Sequence, residues 1–148
     1  LARSLPAIPV LNSAAQVQRW KAVGGGECDI MVDTGMNRLG LAPQEALSGL
    51  LDGLAIGTLM SHLASADEDV PQNGEQLRAF REVARHVPAR RLSLANSAGI
   101  CLGTDYAFDL TRPGLALYGG IPRPEAAAGI RPVVRPEAEI LQVRTVPA

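Results

Sequence analysis

Short apolar runs recur along this chain at intervals long enough to hold a helix, and that spacing constrains the fold more than any other feature. The runs cover residues 7–11, 28–32, 54–60, 92–95 and 108–112, with 115–118 just beyond the last. Between the first two, Ser13-Ala14-Ala15-Gln16 matches a capping box, Val17, Trp20 and Val23 follow at helical spacing, and Gly24-Gly25-Gly26 stops the helix. Pro43 opens a second helix carrying Ala46, Leu47, Leu50 and Leu51. After a loop over 61–73, a third helix from about Gly74 presents Leu77, Phe80, Ala84 and Val87 on one face and ends at Pro88, and a short helix follows Asn96. Strands joined through helices pair in parallel with right-handed crossovers, since antiparallel partners need only short turns. The predicted class is α/β. An open doubly wound sheet and a (β/α)8 TIM barrel both satisfy this periodicity.

The polar residues favour the barrel. Asn12, Asp33 with Arg38, His62, Asn96 with Ser97, and Arg112 fall at or just after the last apolar residue of successive runs, where a barrel places its active site. Loops of any α/β domain are polar, so the pattern is also open to a general reading. A full barrel needs about 250 residues. These 148 could supply only part of one.

Charge and cysteine content narrow the functional classes. Fourteen basic residues against fifteen acidic ones, with no basic stripe, do not suit a nucleic-acid partner. No apolar run approaches the roughly 20 residues of a membrane-spanning helix. Cys28 and Cys101 lie far apart, without metal-ligand spacing and among apolar neighbours, so no metal site is expected and a reducing cytoplasm suits them. The opening Leu1-Ala2-Arg3 reads as an interior cut.

Each candidate site residue has two readings. Arg38 follows a glycine-containing loop, where its planar fork can meet a carboxylate or phenolate, or simply be solvated. His62 is a core histidine or a ligand-facing one. Ser97 stands where a strand gives way to a helix and serves either a phosphate or the helix cap. Arg112 holds a ligand or pairs with Asp105 or Asp109. Gly114, lacking Cβ, lets backbone approach a ligand closely.

Four segments then resemble motifs of one family in order. Residues 33–40, Asp-Thr-Gly-Met-Asn-Arg-Leu-Gly, resemble the D-T-G-M-x-R-L-G signature of alanine racemases. Residues 61–67 resemble its H-x-A-x-A-D segment, 95–98 its A-N-S-A, and 112–119 its R-x-G-x-x-x-Y-G. The resemblance implies a pyridoxal 5'-phosphate enzyme, with Arg38 at the cofactor ring oxygen and the substrate carboxylate, and His62 against the ring. It gives Ser97, preceded by Asn96, with the backbone of Gly114 and Leu115, to the phosphate. By the same resemblance Arg112 is expected to face the pyridine nitrogen, and because guanidinium stays charged that nitrogen is expected to remain unprotonated, which disfavours transamination.

The resemblance also implies what is missing. Met31 stands where relatives commonly carry a lysine that supports the arginine, and Ser93 where many carry histidine, a change expected to weaken any network behind Arg112. No catalytic residue is expected in this chain. The Schiff-base lysine belongs to a segment before Leu1 and the opposing tyrosine to a domain after Ala148, while Lys21, the single lysine, reads as a surface residue of the first helix. Residues 1–135 are expected to be part of the barrel and 136–148, alternating and β-prone, the start of a β-rich domain. The complete protein is expected to interconvert L- and D-alanine as a cytoplasmic homodimer, feeding peptidoglycan. A serine or broad-specificity racemase, or a non-catalytic cofactor-binding fragment, are the alternatives. The 148 residues alone are expected to be inactive.

Overall fold

The computed structural model describes residues 7–146. Four strands form one sheet in the order β1 (Val10–Leu11), β2 (Cys28–Met31), β3 (Ile56–Met60), β4 (Arg91–Ser93), and every neighbouring pair is parallel. Helix α1 (Ala14–Ala22) joins the first pair, α2 (Pro43–Ala46) the second and α3 (Pro71–His86) the third. Short helices α4 (Ser97–Cys101) and α5 (Thr104–Ala107) follow β4, then 3-10 turns at Leu115–Tyr118 and Pro124–Ala126. The α/β class and the parallel pairing expected from the spacing are both present.

Alternation in β2 sets the two faces of the sheet. Cys28 and Ile30, with Val32 beyond, are fully buried against the helices, in one core with Val17, Leu59, Phe80 and Val83. Asp29 and Met31 point the other way. Partners in a parallel ladder share a face, so the pairing of Met31 with Met60 and of Met60 with Ser93 extends that second face across three strands. The β2–β3 register shifts between Cys28 and Ile30, and there the Asp29 carboxylate accepts the Thr58 N–H at 2.7 Å, supplying a bond to a strand amide at the irregularity.

Some element boundaries move. Helix α3 begins at Pro71 rather than near Gly74, because proline at the first helical position sacrifices no hydrogen bond. Helix α2 stops after Ala46, and Gly49 turns the chain through a positive φ of 83° before Leu50 and Leu51 can extend it, with Gly53 turning it again at 78°. The expected strand over 108–112 does not form. Phe108 adopts φ 49°, Asp109 and Leu110 both donate to the Leu92 carbonyl at 3.1 and 3.2 Å, and Asp109 Oδ2 accepts the Leu92 N–H at 2.8 Å. One doubly used carbonyl and a side-chain acceptor thus replace the ladder beside β4. Residues 137–146 form no strand among the described residues, and Ile140, Leu141 and Val143 are exposed.

Candidate functional site

The loop after β2 is built around one carboxylate. Asp33 Oδ1 accepts the N–H groups of Gly35, Met36 and Asn37 at 3.0, 2.9 and 3.0 Å, and Oδ2 that of Arg38 at 3.0 Å. Burial opposes its ionisation, but the four N–H groups outweigh that and hold the carboxyl below its ordinary range. Gly40 closes the loop at φ 133°, where an added Cβ would sit 2.5 Å from the Asp33 nitrogen. The loop backbone is thereby fixed and the Arg38 side chain left exposed.

Beyond β3, His62 is half-buried at the mouth of a cleft. Its surroundings push its pKa down, first by desolvation and then by the positive charges of Arg112 and Arg38, which favours the neutral imidazole at neutral pH. The stretch 61–65 is tied down from below. Gln76 on α3 takes the Ala64 N–H at 2.9 Å and donates to the His62 carbonyl at 3.0 Å and to Thr34 Oγ1 at 3.3 Å. Thr34 Oγ1 also pairs with Ser61 Oγ at 2.7 Å.

Beyond β4, Asn96 caps α4 by accepting the Gly99 N–H at 2.8 Å. Capping therefore falls to Asn96, and the Ser97 hydroxyl accepts instead from the N–H groups of Gly114 and Ala116, at 3.0 and 3.2 Å. The space where a Gly114 Cβ would stand is open. Arg112 pairs with neither Asp105, which binds Arg81 at 3.1 Å, nor Asp109. It donates to Ser93 Oγ and to the Ser61 carbonyl, and Ser93 Oγ in turn donates to Leu110 O at 2.6 Å. Ser93 is thus a support of Arg112, contrary to the weakening expected there: its short hydroxyl meets the guanidinium directly. Burial pushes the Arg112 pKa down, yet guanidinium starts high enough to stay charged.

A cleft of about 470 Å³ brings together His62, Asn96, Ser97, Arg112, Gly114 and Leu115, six of the seven residues singled out from sequence, with Asp67, Ala98, Ile121 and Pro122 completing its walls. Arg38 does not line the cleft, although its charge reaches His62. Sequence reasoning missed Ser61 and Gln76, and misjudged Ser93. For Gln76 a signal existed: it occupies the buried stripe of α3 with Leu77, Phe80 and Val83. Among the described residues no group of three or more His, Cys, Asp or Glu side chains is gathered as for a metal ion, and no helix is long and apolar enough to cross a membrane.

Comparison with known proteins places these features in a family. The family model for the alanine racemase N-terminal domain matches residues 1–122. An alanine racemase of Rhizobium meliloti (strain 1021) is 46% identical, the match covering 95% of this chain and 40% of the relative. One from Jannaschia sp. (strain CCS1) is 47% identical over 99% of this chain and 42% of its own length. The chain thus spans about 40% of the length of the curated relatives it matches. Among solved structures, alanine racemase from Bartonella henselae with covalently bound pyridoxal phosphate superposes with a TM-score of 0.73 at 38% identity, covering 82% of this chain and 36% of that one. The biosynthetic alanine racemase of Pseudomonas aeruginosa gives 0.70 at 30% identity, over 83% of this chain and 37% of that one.

Proposed function

The chain belongs to the alanine racemase family, and on that premise we propose that the protein binds pyridoxal 5'-phosphate in the cleft beside Ser97 and Arg112 and interconverts L- and D-alanine. The observation that carries the reading is the donor set converging there. Ser97 Oγ gathers the N–H groups of Gly114 and Ala116 onto itself beside open space, so a phosphate taking up that place would meet the hydroxyl and both amides, and a held guanidinium lies in the same cleft. Phosphate binding falls to Ser97 with the backbone of Gly114 and Leu115, next to Asn96, and ring contacts to His62 and Arg112.

When bound, the cofactor supplies the electron sink that makes an amino acid's Cα proton removable. Arg112, fixed by Ser93 and Ser61, offers a donor that keeps its own proton, and set against the cofactor's ring nitrogen it would leave that nitrogen unprotonated and so favour racemisation over transamination. His62, held neutral, orients the ring without competing for that proton. Arg38 is left to the ring oxygen and the substrate carboxylate. The proton itself is moved by groups other than these: Lys21 is exposed on α1, and neither Tyr106 nor Tyr118 lines the cleft.

Residues 1–135 are assigned to a barrel and 136–148 to the start of a β-rich domain, supported by the alternation of 137–146 and the exposure of its apolar side chains. A homodimer is supported by exposed Leu117 and Tyr118, 66% accessible each, and a cytoplasmic role in peptidoglycan supply by two free cysteines in a family of this activity. The test is a chiral assay of the full-length protein with pyridoxal phosphate and L-alanine, D-alanine or L-serine. Both alanine directions are expected to proceed, and Arg112→Ala to lower kcat/KM by about 100-fold. Faster turnover of serine, or bound cofactor with no racemisation of alanine, overturns the assignment. A polypeptide of these 148 residues alone is expected to be inactive.

A further inference from the structure

The buried face of α3 carries a side chain that packing does not require. Gln76 is 1% exposed, between Asn73 and Phe80 on a buried stripe whose other members, Asn73 aside, are apolar. Burying an amide without partners is unfavourable, so its presence demands a use for its hydrogen bonds. Three of its four bonding positions are used, and the partners lie in the loops after β2 and β3, the second of which carries His62 to the cleft. Its oxygen takes the Ala64 N–H, and its nitrogen reaches the His62 carbonyl after β3 and the Thr34 hydroxyl after β2. One turn earlier, Gln72 repeats the arrangement, donating to Gly35 O at 3.2 Å and accepting from Ser65 Oγ at 3.0 Å. Two amides spaced for one helix face therefore bridge the same two loops.

The bonds continue to the other side of the cleft. Thr34 Oγ1 pairs with Ser61 Oγ, and the Ser61 carbonyl receives Arg112. A single carboxamide thus sits behind both residues assigned to the cofactor ring, His62 directly through its backbone carbonyl and Arg112 through Thr34 and Ser61, whose hydroxyl meets Thr34 and whose carbonyl receives the guanidinium. No apolar residue reproduces this, and a carboxylate keeps the acceptor while losing both donors.

We infer that Gln76 is a positioning residue that sets the loops after β2 and β3 against each other, and thereby the placement of His62 and Arg112 in the cleft. The inference rests on the cofactor reading above for its functional consequence. Its geometric content is independent of that reading.

The experiment uses the full-length protein and the variants Gln76→Glu, Gln76→Leu and Asn73→Ala. Asn73 is a buried polar neighbour on the same helix that donates to Glu68 O at 2.8 Å and touches no cleft residue through its hydrogen bonds. Thermal midpoint, dissociation constant for pyridoxal phosphate and the His62 ring signals by NMR without cofactor are measured for each. Both Gln76 variants are expected to shift the His62 ring signals and to weaken cofactor binding by about tenfold, the worth of one hydrogen bond. Asn73→Ala is expected to lower the thermal midpoint while leaving both other readings at the parent's values. If Gln76→Leu does not fold, the isosteric Gln76→Glu carries the test. Gln76 variants that lower the midpoint alone, with His62 signals and affinity unchanged, reduce the residue to a packing role and overturn the inference. A parent that binds no pyridoxal phosphate refutes the functional reading instead, and the His62 signals still decide the positioning claim.

Discussion

Two charges act on His62, and removing one gives a measurable consequence. Burial and the cations Arg112 and Arg38 lower its pKa in the folded chain, so the unfolded chain takes up the proton first. The folded state therefore loses stability as pH falls through the ordinary histidine value of about 6.5, until the folded pKa is reached. Arg112→Leu is expected to raise the His62 pKa without restoring it fully, since desolvation persists. NMR titration of the ring reads this directly, and an unchanged value would show that Arg112 exerts no field there. Asp33 has a lowered pKa too, so its contribution is full above the ordinary carboxyl value of about 3.9 and is lost as pH falls through its own. The same loop makes Gly40 irreplaceable: φ 133° disfavours any L side chain, and the obstructing atoms are backbone. Gly40→Ala is expected to cost about 3 kcal/mol in urea unfolding, from strain alone, and a loss under 1 kcal/mol would mean that the loop refolds around it.

Among the elements, α3 connects packing to the site. Phe80 is fully buried and meets Phe108 edge to face at a centroid distance of 5.1 Å and an angle of 88°, which anchors the irregular segment leading to Arg112. Phe80→Ala is expected to lower stability by about 3 to 5 kcal/mol, while Phe80→Leu retains most of it, by calorimetry of the same preparation. The stripe containing Phe80 was legible from the sequence, as were Ser13 as the cap of α1 and the polar residues at strand ends, because these depend on local spacing. The partners of those residues were not. Ser93 holds Arg112 across 19 positions and Gln76 holds Thr34 across 42, and nothing in local periodicity encodes which distant group will arrive. The missing fifth strand has a similar cause: its apolar residues suit a strand, but Phe108 enters with positive φ and the Asp109 side chain takes a ladder position. A neighbour, rather than propensity, decided that segment.

At the scale of the whole molecule, the cleft has walls from segments far apart in sequence, and one residue joins the last of them to the rest. Arg123 is 9% exposed and follows Ile121 and Pro122, which line the cleft. Its guanidinium donates to Ala66 O at 2.9 Å, to Asp69 Oδ1 at 2.6 Å and to Glu125 Oε1 at 2.6 Å, and the two carboxylates hold its pKa above the ordinary arginine value. The bond to Ala66 matters most for geometry, because Asp69 and Glu125 are themselves exposed and screened by water, whereas Ala66 is buried in the loop after β3 that also carries His62 and Asp67. Losing Arg123 should therefore free the wall without unfolding the sheet, whose core lies on the helix side. Arg123→Leu is expected to speed amide exchange at Ala126 and Ala127 on the order of tenfold while β2 and β3 keep their protection. Asp69→Asn leaves the Ala66 bond in place and is expected to have a smaller effect at the same amides. Equal effects from the two variants would assign the attachment to charge rather than to the buried carbonyl, and exchange spreading to β3 would show that the wall and the sheet unfold as one unit.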